Sequence, residues 1–205
     1  MPAPGNGETD AAIQALRLAL MAVSHGLPGG RVLPAEALRA RVTTTIDALC
    51  RCERERDVGT ALPGLIRDLH TTIAAGRDVA ELLDLAAWLH TQATVPWLSI
   101  TEAPIDLRWQ ALTLARVAAG DRDTAAPAGL VAAASARVGL AAGAFDLAQA
   151  ALDAVTVPTN TTVTMHRIQR GPVIREVLTE LLARSRRDAV GRELRGMAYR
   201  AGLPV

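Results

Sequence analysis

The chain has 205 residues and a formal net charge of +1, and half of its residues are apolar. Aromatic residues make up only 2%, which argues against a β-sandwich or barrel, whose strands are normally richer in aromatic side chains. A net charge near zero excludes a global field that would draw the chain to nucleic acid or anionic lipid. The apolar half is mostly Ala, Leu and Val. Because Ala and Leu are strong helix formers, the composition predicts a single all-α domain over residues 1–205.

Four helices are predicted in the first half of the chain, over about 10–23, 34–55, 58–75 and 78–93. Each carries apolar residues three and four positions apart, which is the spacing of one buried helix face. Thr9 or Asp10 is placed to cap the first helix, and residues 1–8 before it are expected to be disordered. Pro63 is expected either to kink the third helix or to lie in its first turn. Asp78 is expected to cap the fourth.

Five further helices are predicted in the second half, joined by links that contain Gly or Pro. Pro96 and Pro104 bracket the connection into the first of these helices. Residues 157–170 are the least regular part and are expected to form an extended loop. The five helices cover about 105–119, the segment after the 120–123 link, the segment from Gly143 to before Pro158, 172–188 and 191–201.

About nine helices joined by short links favour antiparallel hairpins, which predicts a tetratricopeptide-like, right-handed α-solenoid. Trp109 and Leu112, followed by Gly120, resemble one tetratricopeptide hairpin, and Gly143–Ala148 resembles another. The two segments do not share one strict repeat register. The arrangement is therefore expected to be tetratricopeptide-like and not a regular repeat array.

Charge and cysteine placement bear on partners and compartment. Residues 166–205, which include the two closing helices, hold nine Arg against four acidic residues, a local charge of +5. This basic segment is interpreted either as a solvated helix face or as a contact with the acidic body of a second subunit or another domain. Cys50 and Cys52 diverge on a helix and suit neither a disulfide nor a shared metal, so both are expected to be small packing residues in a reduced protein. With no signal peptide at the N-terminus and no membrane span over 125–155, we expect a cytoplasmic protein.

Motifs that carry chemistry are absent from the sequence. No zinc signature, P-loop, dinucleotide fingerprint or nucleophile elbow is present. Asp68 and His70 are two apart and diverge on a helix. His70 and His90 could approach each other across a hairpin, or each could be a satisfied or half-exposed histidine. No group supplies a nucleophile, a base and an oxyanion donor together, so we expect a protein that is not an enzyme and that needs no metal or cofactor.

Three tryptophans stand out because aromatic residues are so scarce. Trp88, Trp97 and Trp109 fall within one presumed hairpin and its Pro-bounded link. One interpretation is core packing among alanines. The other is an aromatic-lined pocket for a small apolar ligand or a peptide, which makes the three the candidate ligand-binding residues. Trp97, directly after Pro96, is expected to be the most exposed.

Three segments resemble one known family. They are DVGTALPGLIRDLH at 57–70, DLRW at 106–109 with the later GDRD turn, and RGPVIREVLTELLARSRRDAVGRELRGMAYRAGL at 170–203. Together they resemble the C-terminal, tetratricopeptide-like region of helix-turn-helix transcriptional regulators of the XRE type from high-GC Gram-positive bacteria. The resemblance extends over most of residues 10–203, although its motifs are loose.

This resemblance implies a regulatory domain that forms a homodimer and senses a ligand or partner. The family reads DNA with a helix-turn-helix domain, but nothing in residues 1–56 resembles one. We therefore expect no helix-turn-helix in this chain and no specific DNA binding by this chain alone. A stand-alone tetratricopeptide-like interaction adaptor is the alternative.

Overall fold

A computed structural model describes residues 6–51, 55–120 and 125–153, together with Ala183. All regular structure in this part of the chain is helical, as the composition predicted. Apart from Ala183, the predicted helices over 172–188 and 191–201, the 157–170 loop and the basic segment 166–205 lie outside the described residues. The helices are α1 (Asn6–Ser24), α2 (Ala35–Cys50), α3 (Glu55–Ala74), α4 (Val79–Leu89), a π-helical turn (His90–Thr94), α5 (Val95–Ile100), α6 (Ile105–Ala119), α7 (Ala125–Ala141) and α8 (Phe145–Asp153).

Several helix boundaries differ from the sequence prediction. α1 begins at Asn6, before the expected caps, so residues 6–8 are helical and not disordered. Glu8 in this first turn forms an ion pair with Arg56 of α3, and its carboxylate suits the positive end of the helix dipole. α3 begins at Glu55, so Pro63 lies inside the helix and not in its first turn. Asp78 does precede α4, but its side chain forms no capping hydrogen bond.

The connection expected around Pro96 is helical. α4, the π-helical turn and α5 follow one another without leaving right-handed helical backbone angles, so the described chain has seven helices when these three are counted as one. Pro96 has no N–H, and its ring would clash with the carbonyl four residues earlier in a regular α-helix. The turn widens instead, and the N–H of Val95 donates to the carbonyl of His90, five residues back. The proline is thereby kept within a helix.

The core lies between α1, α3, α4 and α6. α1 packs along α3, and α2 lies against α3 and α4. α4 and α6 also pack together, and each has fully buried alanines, which are Ala86 and Ala87 on α4 and Ala111 and Ala115 on α6. The largest buried side chains are Trp97, Leu16, Leu20, Leu38, Leu62, Leu65, Ile66, Leu69, Leu82, Leu89, Leu98 and Leu107.

α1 also reaches α6, far along the chain. Arg17 forms an ion pair with Asp106 at 3.4 Å, and the side-chain amide of Gln110 donates to the hydroxyl of Ser24 at 3.2 Å. In a strict solenoid each repeat contacts only its neighbours. α1 departs from this pattern, because it contacts α3 and α6, neither of which follows it directly in the chain. α6, α7 and α8, in contrast, pack in consecutive pairs. Within the described ranges, no helix combines the length and apolarity needed to cross a bilayer.

Candidate functional site

Trp97 is a core residue. Its side chain is 1% exposed, so the expectation that it is the most exposed tryptophan is wrong. The helical path through Pro96 turns it inward, where its indole N–H donates to the carbonyl of Glu55 at 2.8 Å. The ring lies so close to Gly59 that a Cβ there would be 2.3 Å from Cζ2 of the indole. Trp97 therefore fastens α5 to the start of α3.

Trp88 and Trp109 have a different environment. They lie half-buried on α4 and α6, and both pack against the hydrophobic core from its edge. The structure thus separates Trp97, enclosed in the interior, from two tryptophans that keep part of their surface exposed. Of the three candidate ligand-binding residues, only Trp88 and Trp109 retain a surface that a ligand could contact.

His70 and His90 do approach each other, as one interpretation of the sequence held. Their Nε2 atoms are 3.1 Å apart, and the ring centroids are 5.4 Å apart with a tilt of 44°. His70 lies on α3 and is half-buried, whereas His90 opens the π-helical turn and is fully buried. Burial lowers the pKa of His70 to about 4. Burial, and then repulsion by His70, hold the pKa of His90 well below its usual value. Both rings are therefore neutral at pH 7.

The buried ring fixes the direction of this hydrogen bond. Nδ1 of His90 is buried and has no hydrogen-bond partner. A neutral imidazole carries its proton on one nitrogen only. If that proton were on Nδ1, a buried N–H would be left without an acceptor, which is rare in proteins. We therefore assign the shared proton to Nε2 of His90, which donates to Nε2 of His70.

Asp68 carries the only buried carboxylate among the residues that the structure describes. Its side chain is 6% exposed, and its Oδ2 accepts from Arg41 of α2 at 2.7 Å and from Arg31 at 3.1 Å. Its Oδ1 accepts the backbone N–H of Arg31 at 2.9 Å. Burial raises the pKa of this carboxyl, but these donors more than offset that effect and the pKa lies below its usual value. Asp68 thereby joins α2, α3 and the segment between α1 and α2.

That segment, residues 25–34, is held against α3 by its backbone. The N–H of Gly30 donates to the hydroxyl of Thr71 at 2.9 Å, and the N–H of Leu33 donates to that of Thr72 at 3.1 Å. A Cβ on Gly30 would lie 2.4 Å from the backbone of Arg67, so only glycine fits here without a shift. We call these contacts and the Asp68 ion pairs the Asp68 clasp.

A groove lies between α2 and α3, directly beside the clasp. Its volume is about 310 Å³, and it is lined by Ala40, Arg41, Thr44, Thr45, Ala61 and Leu65. The hydroxyls of Thr44 and Thr45 donate to carbonyls four residues earlier, so the guanidinium of Arg41 is the strongest hydrogen-bond donor in the lining. We call this depression the Arg41 groove.

Neither a metal cluster nor a disulfide is formed by the described residues. No three His, Cys, Asp or Glu side chains there come close enough to hold a metal ion. Cys50 is a free thiol and is exposed at the end of α2, so the expectation that it packs in the interior is wrong. α2 ends at this residue, which leaves its side chain at a helix end. Cys52 lies outside the described residues.

Neither the Asp68 clasp nor the Arg41 groove is predicted from the sequence. One signal was present: Asp68 falls among Leu65, Leu69 and Thr72, on the buried stripe of α3. A carboxylate on a buried face needs a cationic partner, but the sequence does not identify Arg31 or Arg41 as that partner. The groove has no sequence signature, since it arises where small side chains of two helices face each other.

Comparisons with family models, with curated proteins and with solved structures find no match to this chain.

Proposed function

We propose that this chain is the regulatory region of a bacterial transcriptional regulator, which senses a ligand or partner and acts as a homodimer in the cytoplasm. The resemblance of three segments to the C-terminal region of XRE-type regulators supports the proposal. The observation that carries it in the structure is the Arg41 groove beside the Asp68 clasp. A ligand in this groove would contact Arg41, whose ion pair with Asp68 joins α2 to α3.

The groove is suited to sensing because of its connection to the clasp. Arg41 lines the groove and also binds Asp68. Asp68 in turn holds Arg31 in the segment that leads from α1 into α2. A molecule that binds Arg41 competes with Asp68 for this guanidinium and so alters the ion pairs of Asp68. Because Asp68 also holds Arg31, the position of the segment between α1 and α2 changes with them. Coupling between a binding site and a distant surface needs differential contacts of this kind.

The proposal assigns the chain no catalysis, no cofactor and no specific DNA binding of its own. In this proposal the helices provide a tetratricopeptide-like binding scaffold, which the consecutive packing of α6, α7 and α8 supports. DNA reading belongs to a helix-turn-helix domain that acts together with this one.

A stand-alone interaction adaptor is the second candidate, and the outer face of α1 favours it. Leu18 and Met21 lie one turn apart on α1 and are 58% and 44% exposed, and Leu27 after the helix is 75% exposed. Exposed apolar side chains that cluster on one face are typical of protein-interaction surfaces. This face fits a partner protein without any role in transcription.

Deletion of the gene, followed by transcript profiling and complementation, separates the two candidates. A regulatory region predicts that a defined set of transcripts changes and that the wild-type gene restores it. An adaptor predicts an unchanged transcript profile, together with the loss of a protein complex that Leu18→Glu also abolishes. An unchanged profile in the deletion strain would contradict the regulatory proposal.

A further inference from the structure

We propose that the Arg41 groove binds a small monocarboxylate with an apolar body. The inference rests on the proposed sensing function and names the chemical class of its ligand. It follows from the charges at one end of the groove, from the lining, and from the volume.

The charges at the clasp are unequal. Two guanidinium groups, those of Arg31 and Arg41, share the single carboxylate of Asp68. Arg41 uses only Nη1 for this contact, and its side chain is 39% exposed. A guanidinium has five N–H donors in a planar fork that matches a carboxylate. A second carboxylate at Arg41 would balance the two cations with two anions.

The rest of the lining favours an apolar body. Ala40, Ala61 and Leu65 present only hydrocarbon. Thr44 and Thr45 offer no free hydroxyl proton, because each already donates to the backbone. A polar body gains no hydrogen-bond donor from these five side chains, whereas an apolar body covers their hydrocarbon.

The lining also sets how many charges the ligand can carry. Arg41 is the only charged side chain among the residues that line the groove, so a second carboxylate would have no cationic partner there. A dicarboxylate therefore fits less well than a monocarboxylate. The volume of about 310 Å³ is at the lower end of the range for ligand sites and suits a small molecule.

Calorimetric titration of the full chain with 4-phenylbutyrate, and separately with its uncharged amide, tests the proposal. We expect saturable binding of the carboxylate, and binding of the amide at least about tenfold weaker, because a charge-assisted pair to Arg41 is lost. Arg41→Met should weaken carboxylate binding by a similar factor. Arg39→Met, on the same helix but paired with the exposed Glu81, should not.

Arg41→Met also removes an ion pair of the Asp68 clasp, so a second variant is needed that blocks the groove and leaves the clasp intact. Ala61→Trp fills the groove without removing an ion pair and should abolish binding, whereas Val117→Trp, at a 71% exposed position on α6, should leave it unchanged. Equal binding of acid and amide, binding that survives Ala61→Trp, or no binding of the acid would overturn the inference. If the acid does not bind but gene deletion still changes transcripts, the ligand class is wrong and the regulatory proposal stands.

Discussion

Nε2 of His90, buried at the start of the π-helical turn, donates a hydrogen bond to Nε2 of His70 on α3 across 3.1 Å. The pair joins α3 to the helix that carries Trp97, and both rings are neutral when the protein is folded. A proton added to Nε2 of His70 would bring two N–H groups face to face and break the contact, and a proton added to Nδ1 of His90 would create a buried imidazolium.

The histidine pair predicts a loss of stability in mild acid. Unfolded histidine titrates near pH 6.5, whereas the pKa of folded His70 is about 4. Between these values the unfolded chain binds more protons, so the free energy of unfolding falls as the pH is lowered. The loss attributable to His70 is at most on the order of 3 kcal/mol. Urea unfolding at several pH values checks this. His70→Gln should flatten the curve between pH 4 and 6.5, and an unchanged curve would contradict the account.

Asp68→Asn is expected to destabilise the chain by about 2–3 kcal/mol, because a buried amide cannot match two guanidinium groups. Glu81→Gln removes the carboxylate of an exposed ion pair with Arg39 and should cost less than about 1 kcal/mol. Because its folded pKa is depressed, the contribution of Asp68 is present above pH 4 and is lost as the pH falls through that pKa. Chemical denaturation at pH 7 compares the two variants. Equal losses would show that the clasp contributes no more than a surface pair.

Two glycines make a matched test of the backbone contact in the clasp. Gly30→Ala should cost about 2 kcal/mol or more, since its Cβ would lie 2.4 Å from the backbone of Arg67. Gly64→Ala, inside α3 with nothing within 4 Å of the added Cβ, should stabilise by about 0.5–1 kcal/mol. Thermal unfolding of both variants should therefore shift in opposite directions. A Gly30→Ala protein as stable as the wild type would refute the close approach.

Trp97 and Gly59 should be energetically coupled. Gly59→Ala is expected to cost about 2 kcal/mol in the wild type, because the buried indole cannot move away. Trp97→Phe removes the part of the ring that occupies the space of a Cβ, and in that background Gly59→Ala should cost less than about 1 kcal/mol. A double-mutant cycle measures the difference. Additive losses would mean that the two residues do not share this space.

The helical class and most helix positions could be predicted because they depend on composition and on the spacing of apolar residues, which are local patterns. The helical course of the chain at Pro96 could not be predicted. A proline either breaks a helix or is accommodated by a widened turn, and which of the two occurs depends on the burial of the residues around it. Trp97 was misplaced for this reason: a link was expected where a helix continues into the core.

The candidate site depended on contacts between distant residues. The approach of His70 and His90 could be foreseen as one of two outcomes, because a hairpin connects their helices. Asp68 and Arg31 are 37 residues apart and meet only because residues 25–34 fold back on α3. No local spacing encodes that contact.

The central claim is that the Arg41 groove senses the signal. It is tested most directly by exchanging the gene for one that encodes the Ala61→Trp variant and then profiling transcripts. If the Arg41 groove senses the signal, the variant protein should be folded and present at the wild-type level, yet the affected transcripts should match those of the deletion strain. Val117→Trp, made in the same way, should match the wild type. A wild-type transcript profile in the Ala61→Trp strain would contradict the account.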